Sequence, residues 1–534
     1  MKTSQVIAKY LTAAHIEFVF GYPGDPTVEL LEALRQDDVR FVLGSREGTT
    51  GLMAEAYGQL TGRPGVCVST LGPGSSNLVN AVASAYLDRV PMIAISGQIE
   101  SRREPYFTHQ VIDHARVFPP ISKWATSIQP ETVGTIMRKA LRVAMAERPG
   151  PVHLSTPGNV IGAEAIDDQI ALPPISPQRG IQVFSRQGAH RDPVERIRTS
   201  RRPIILAGMS AAWSQAGESI VKLSEALGCP VVVSPMAKGI IPEEHPFYAG
   251  TLDMACNGYI WEFLRRADLL LTIGFDAVEL IKPWTLNVNN IHIDTVANTD
   301  QIYEAETEII GDISAILHDI SESAGKSERW SAAEMSEHRS KLSKLYYQGR
   351  VRGRLNPTDV IDVVRQAVPH DAIISTDVGS HKLLVGQGWT TYEPGTVLMT
   401  NGLSSMGYAL PASITAKLVH PRTPVVCFVG DGGLAMTQAE LRTAASLKRN
   451  PLIIVFCDNS LNRIELKQRA KNYPSFGTIF DSCDYVALAR SMGCEGVSVD
   501  SSQYLESVLA ESHPADRPLL VAAEIDPSQY AAQF

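Results

Sequence analysis

The chain has 534 residues, 44% apolar and 20% charged, with 48 basic against 57 acidic side chains and a formal charge of −9. That balance belongs to a globular protein of about three domains and excludes fibrous or low-complexity organisation. With no basic block, the chain is a poor candidate for general nucleic-acid binding, and no apolar run approaches the ~20 residues that span a bilayer. Met1-Lys2-Thr3-Ser4 leads into an amphipathic segment, which reads as no signal peptide. The seven cysteines are scattered without a C-x-x-C pair. Reduced, mostly buried thiols in a cytoplasmic protein are therefore expected, with neither disulfides nor a zinc site.

Along the chain, short β-branched runs alternate with helical patterns. Strands are expected at 16–20, 40–43, 65–69, 92–96, 203–207, 231–234, 269–274, 291–294, 372–375, 424–429, 452–457 and 519–523. Apolar strands spaced by helices imply α/β architecture with parallel sheets covered on both faces. Two stretches read as linkers. Residues 167–194 are rich in Pro, Gln, Gly and Ser, and 322–357 carry a polar helical pattern. They divide the chain into three doubly wound blocks, 1–166, 190–322 and 356–534. A faint echo links the first and last blocks: strand, glycine turn, helix, proline, strand. It is equally what any two βαβ units share. No P-loop, H-E-x-x-H or G-x-S-x-G motif is present, and Gly72-Pro73-Gly74-Ser75-Ser76-Asn77 has Asn77 where a dinucleotide fingerprint needs its third glycine.

The chemistry concentrates after the strand 425–429. Gly430-Asp431-Gly432-Gly433 lets the backbone approach a diphosphate, and amides of the following helix point at it. A carboxylate in that turn repels bare phosphate unless a hard divalent cation lies between them. A second carboxylate is expected at the end of the next strand, where Cys457-Asp458-Asn459-Ser460 stands. Adjacent parallel strands would bring Asp431 and Asp458 to one sheet edge.

These segments resemble the signature of the thiamine diphosphate-dependent enzymes, and the resemblance covers nearly the whole chain. Phe20-Gly21-Tyr22-Pro23-Gly24 resembles the family's opening turn. Arg46-Glu47-Gly48 with Met53-Ala54-Glu55-Ala56-Tyr57-Gly58 resembles its catalytic-glutamate helix. Thr70–Asn77 and Pro91–Gln98 are similar to its next strand pair. Asp377-Val378-Gly379-Ser380-His381 and Ser405-Met406-Gly407-Tyr408-Ala409-Leu410-Pro411 are similar to its cofactor loops. The three blocks then correspond to pyrimidine-binding, central and diphosphate-binding domains.

The resemblance implies roles. Glu47 contacts N1′ of the aminopyrimidine and favours the imino tautomer that removes the thiazolium C2 proton; as a bare residue it also reads as a carboxylate at a helix N-terminus. Asp431, Asp458 and the Ser460 carbonyl hold Mg2+, with Asn459 as the ligand if the register slips by one. Gly379, Ser380, His381, Gly430, Gly432 and Gly433 surround the diphosphate, and Met406 bends the cofactor. For His381 an ordinary core histidine, and for Met406 a gap-filling core methionine, are the rival readings. Gln110, or His109 beside it, faces the substrate, as in acetolactate synthases; a solvated loop is the alternative.

Asp25 stands where simple pyruvate decarboxylases carry a catalytic aspartate, yet Asp25-Pro26 also reads as a helix cap. Arg463 replaces an apolar residue of the acceptor pocket. It either clamps a substrate carboxylate, sulfonate or phosphonate or points to solvent. Ile464 stands where decarboxylases carry a protonating glutamate, and Glu465 restores one if the register shifts. The central block is most similar to catabolic, flavin-free acetolactate synthases, and 250–257 lacks the glycine-histidine pattern of flavin binders, so FAD is not expected. The expected activity is thiamine diphosphate- and Mg-dependent decarboxylation of a 2-oxo acid, with transfer of the acyl carbanion equivalent to a second carbonyl. The site would form between two chains of a homodimer or homotetramer. The alternatives are a decarboxylase that releases an aldehyde and a catalytically silent regulatory relative.

Overall fold

The protein is described from a computed structural model that covers residues 1–173, 181–185, 192–325, 327–511 and 516–533. Three sheets follow one another along the chain. The first contains β1 (Phe18–Tyr22), β2 (Arg40–Leu43), β3 (Gly65–Ser69), β4 (Met92–Gln98), β5 (Trp124–Ser127) and β6 (Pro151–Pro157), in the order β2-β1-β3-β4-β6-β5. The second contains β7 (Gln182–Ser185), β8 (Pro203–Ala207), β9 (Val231–Val233), β10 (Tyr248–Thr251), β11 (Leu269–Ile273), β12 (Asn290–Asp294) and β13 (Thr307–Ile310), in the order β10-β9-β8-β11-β12-β13-β7. The third contains β14 (Ile373–Thr376), β15 (Val397–Leu398), β16 (Val425–Gly430), β17 (Leu452–Cys457), β18 (Glu495–Val499) and β19 (Leu519–Glu524), in the order β15-β14-β16-β17-β19-β18.

The first and third sheets are parallel throughout, and in the second only β7 runs antiparallel, at the edge beside β13. Helices alternate with the strands, so the chain is α/β with three doubly wound sheets. The central strands are apolar runs buried on both faces: every residue of β3, β8 and β11 is buried. Burying one Val, Leu or Ile side chain fully contributes about 1.5–3 kcal/mol, which is why these strands dominate each core. None of the cysteines is in a disulfide; Cys67, Cys229, Cys427, Cys457 and Cys494 are buried, Cys256 is half-buried and Cys483 is exposed.

Several expectations are corrected. β1 runs two residues later than the alternation suggested, since Gly21 and Tyr22 still pair with β2 and β3. β5, β6, β7, β10, β13, β15 and β18 were not anticipated. β5, β7 and β18 are sheet-edge strands whose side chains, Val499 apart, are exposed or half-exposed, and so lack an apolar signature. β7 lies inside the stretch 167–194 read as a linker, where its ladder with β13 supplies the order its composition does not; residues 174–180 and 186–191 of that stretch lie outside the described residues. In the other linker, residue 326 is likewise outside, and the helix Ala332–Tyr346 is docked rather than merely solvated, with Met335, His338, Leu342 and Tyr346 buried. After β16 the helix begins at Asp431 itself and breaks at Thr437 before a second helix, Glu440–Ser446.

The chain forms two compact units. One contains Met1–Ser176, Leu403–Pro421 and Thr437–Arg449; the other contains Pro177–Gly402, Arg422–Met436 and Asn450–Phe534. In the first unit the helix Ala409–Val419 packs along Glu47–Thr61, with Thr415 Oγ1 donating to Met53 O at 3.2 Å.

Candidate active site

Parallel α/β sheets bind ligands beyond the strand carboxyl ends, where the strand order reverses. In the third sheet that point lies between β14 and β16. Gly379, Ser380 and His381 follow β14, and Asp431, Gly432 and Gly433 follow β16. The register pairs Gly430 with Phe456, so the end of β17 adds Asp458 to the same edge. Asp431 Oδ2 accepts from the amides of Asp458 at 2.9 Å and Asn459 at 2.6 Å, and Oδ1 accepts from Gly432 N at 2.7 Å. Asp458 Oδ1 accepts from Ser460 N at 3.2 Å. Asp431 and Asp458 are thus brought together as the strand pairing suggested, and the Gly432 amide is already engaged by Asp431.

Burial, and then the neighbouring charge of Asp431, push the Asp458 carboxyl up to about 7. Burial likewise raises Asp431, against the amides that favour its anion. His381 is buried, its ring stacked on Phe456 with centroids 5.2 Å apart. Its Nε2 has no hydrogen-bond partner among the described residues. Burial holds it neutral, its pKa down to about 3. A Cβ on Gly379 would lie 2.8 Å from the His381 ring and one on Gly433 would lie 2.4 Å from Asp377 Oδ2, so a side chain at either would force a shift, while one on Gly430 would fit tightly, 3.1 Å from the ring. Ser380 Oγ donates to Asn462 Oδ1 at 2.8 Å, which ties the first turn of one helix to the next.

In the first sheet the order reverses between β1 and β3. Gly24 follows β1 and lies against Thr70, which follows β3: a Cβ on Gly24 would sit 2.1 Å from Thr70 Oγ1. Glu47 begins the helix Glu47–Thr61, as expected, and is only 7% exposed. Its Oε2 accepts from Asn77 Nδ2 at 3.0 Å, and Gly74 lies close enough that a Cβ would be 2.9 Å from Oε1.

Asp25 is exposed, the first residue of the short 3-10 helix Asp25–Thr27. Neither that helix nor Val28–Gln36 has a side-chain cap, so the capping role expected of Asp25 is not formed: Gly24 takes the cap position instead. His109 and Gln110 are exposed on the segment after β4, and Gln110 has φ +59°. Met406 is half-buried beside Ser405, whose Oγ accepts from Asn80 Nδ2 at 2.7 Å. Arg463 is half-buried rather than fully solvated, and burial lowers its pKa, while Ile464 is 49% exposed.

Comparison with known proteins decides the family. "Thiamine pyrophosphate enzyme, N-terminal TPP binding domain" matches residues 1–117, the central domain of the same enzymes matches 191–320, and their C-terminal TPP binding domain matches 377–523. The chain is 30% identical over 508 residues to a probable 2-ketoarginine decarboxylase of Pseudomonas aeruginosa, covering 92% of this chain and 89% of that one.

The chain belongs to the thiamine diphosphate-dependent enzymes.

Among its relatives are an acetolactate synthase of Bacillus subtilis, 29% identical over 538 residues (98% of this chain, 93% of the relative), and a catabolic acetolactate synthase of Raoultella terrigena, 27% identical over 546 residues (98% and 95%). The residues present fit the cofactor. His381 offers, at the β14–β16 switch point, a buried ring nitrogen that has no hydrogen-bond partner among the described residues. Among the described residues no group of three or more His, Cys, Asp or Glu could hold a metal alone. A cation at Asp431 and Asp458 would therefore need further oxygens, of the kind a diphosphate and a main-chain carbonyl offer.

The sequence reading missed three groups. Glu440 is buried and accepts from Ser45 N at 2.9 Å and from Thr49 Oγ1, so it holds the turn that carries Glu47. Glu465 accepts from Ser460 Oγ at 2.6 Å, Ser475 Oγ at 2.7 Å and the Arg469 guanidinium. Burial raises the Glu465 carboxyl, but those donors outweigh it and hold it below its ordinary value. His114 is buried between two serine hydroxyls. Only the position of Glu465 carried a signal, as a misregistered proton donor; the other two depend on contacts distant in sequence.

Proposed function

We propose that this enzyme decarboxylates a 2-oxo acid with thiamine diphosphate and Mg2+ and joins the remaining acyl unit to a second carbonyl, as in acetolactate synthesis. When bound, the cofactor supplies the electron sink that carboxylate loss requires. Asp431 and Asp458 hold the metal through carboxylates and Ser460 through its carbonyl. His381, Ser380 and the amides around Gly379, Gly430 and Gly433 receive the diphosphate, with the Gly432 amide held by Asp431. Glu47 holds a proton at the aminopyrimidine, Met406 supports the bent cofactor, and Gln110 with His109 orients the 2-oxo acid. Arg463 is the candidate for recognising an anionic group on substrate. The site forms between two chains, so the smallest active form is a homodimer, and a fully active monomer would contradict this. The reading includes no flavin. At the switch point of the second sheet Gly208 packs directly on Phe275, where a Cβ would lie 2.4 Å from Phe275 Cα, and the Glu279 carboxyl accepts from Met209 N at 3.0 Å.

The observation that carries ligation over aldehyde release is the state of the turn after Ser460. Position 464 is isoleucine, and the glutamate beside it, Glu465, is committed to Ser460, Ser475 and Arg469. That turn therefore offers no free carboxyl to protonate the acyl unit. Aldehyde release is the second reading; it is favoured by the likeness to a probable 2-ketoarginine decarboxylase and by an exposed Asp25 that caps nothing. Product analysis with a panel of 2-oxo acids separates the two. A ligated hydroxy-keto acid is expected, and stoichiometric free aldehyde overturns ligation.

A further inference from the structure

His114 has no part in the roles above, yet it occupies an unusual place. It ends the segment 99–113, which contains no helix or strand and carries His109 and Gln110. Its side chain is buried. Nδ1 lies 2.8 Å from Ser155 Oγ, at the end of β6, and Nε2 lies 3.1 Å from Ser75 Oγ, in the first turn of the helix Pro73–Leu87. Ser75 Oγ donates its proton to Gly72 O at 2.9 Å. Its remaining capacity toward His114 is as an acceptor, so Nε2 carries the imidazole proton and Nδ1 accepts from Ser155. The ring also packs edge-on against Phe118 and His153.

A closed circuit results. Gly72, which accepts from Ser75, abuts Gln110: a Cβ on Gly72 would lie 2.5 Å from Gln110 O. Gln98 Nε2 donates to Ile112 O at 3.1 Å and holds the segment from below. Gly74, next to Ser75, lies against Glu47. One turn, Gly72–Ser75, thus touches Glu47, Gln110 and His114.

We propose that His114 is a positioning residue: a neutral Nε2–H imidazole bridging Ser75 and Ser155, it sets the His109–Gln110 segment against the turn that abuts Glu47 and thereby sets affinity for the 2-oxo acid. The part concerning substrate rests on the proposed function, in which that segment faces the acid.

His114→Phe keeps a ring of similar size and removes both hydrogen bonds. KM for the 2-oxo acid is expected to rise about tenfold, comparable to the loss of one net hydrogen bond, with kcat within about threefold and thiamine diphosphate affinity unchanged. Amide hydrogen exchange is expected to quicken at 107–113 and to stay unchanged in β3 and β4. His114→Gln, whose amide can still donate to Ser75, recovers most of the lost affinity. If the phenylalanine variant does not fold, Ser155→Ala removes the Nδ1 bond alone and serves in its place. Exchange at 107–113 equal to that of the parent overturns the positioning role whatever the activity. Faster exchange with unchanged KM overturns the link to substrate. A parent enzyme that consumes no 2-oxo acid defeats the proposed function instead, and the exchange comparison still decides the role of His114.

Discussion

Glu47 stands at the first position of its helix, 7% exposed and held by Asn77 on one oxygen. A group that handles a proton needs a fixed position more than it needs exposure, and fixed geometry precedes pKa in deciding such roles. Glu47→Gln keeps the side-chain shape and removes the carboxyl that takes up and releases a proton. Turnover is expected to fall by about 10²–10⁴-fold, the usual contribution of a general acid or base, while cofactor binding measured by quenching of protein fluorescence persists. Unchanged turnover would remove the assignment. Glu47, Asp431 and Asp458 were legible because each stands in a local pattern beside a strand end. His114 was not, because its partners Ser155 and Ser75 are 41 and 39 positions away. Asp25 was misjudged because Gly24, not the aspartate, takes the cap position.

Each sheet places its chemistry where the strand order turns. Between β14 and β16 the glycines pack on the His381 ring and on Asp377, and between β8 and β11 Gly208 packs on Phe275 and Glu279. Central strands such as β3, β8 and β17 were read directly, since continuous apolar runs leave little else to be. β7 and β18 were hidden because edge strands gain order from a neighbour's ladder rather than from burial.

Glu279 gives the second element a pH signature. Burial pushes its carboxyl up to about 8, against hydrogen bonds from Ser234, Met209 and Asp276 that favour the anion. The unfolded value is about 4.3. Between these limits the folded protein keeps a proton that the unfolded chain releases. The stability contributed by this group is therefore full below about pH 4.3 and is lost as pH rises toward 8, by up to about 1.4 kcal/mol per pH unit. Glu279→Gln is expected to flatten the dependence of the melting temperature on pH between 5 and 8. An equal slope in both proteins contradicts the shift.

At the scale of the whole molecule, family likeness and geometry agree on different evidence. The matches extend over 92–98% of the chain and identify a thiamine diphosphate enzyme. The structure independently collects the buried Asp431, the half-buried Asp458 and an imidazole nitrogen without a partner among the described residues at one sheet edge. Such a cluster of like charges is costly alone and is relieved by a divalent cation. The most direct measurement is reconstitution. The purified protein is stripped with a chelator, and CO2 release from a panel of 2-oxo acids is followed after thiamine diphosphate and Mg2+ are returned separately and together. Release that requires both is the predicted result. Release without either, or no binding of thiamine diphosphate in the presence of Mg2+, would contradict the account.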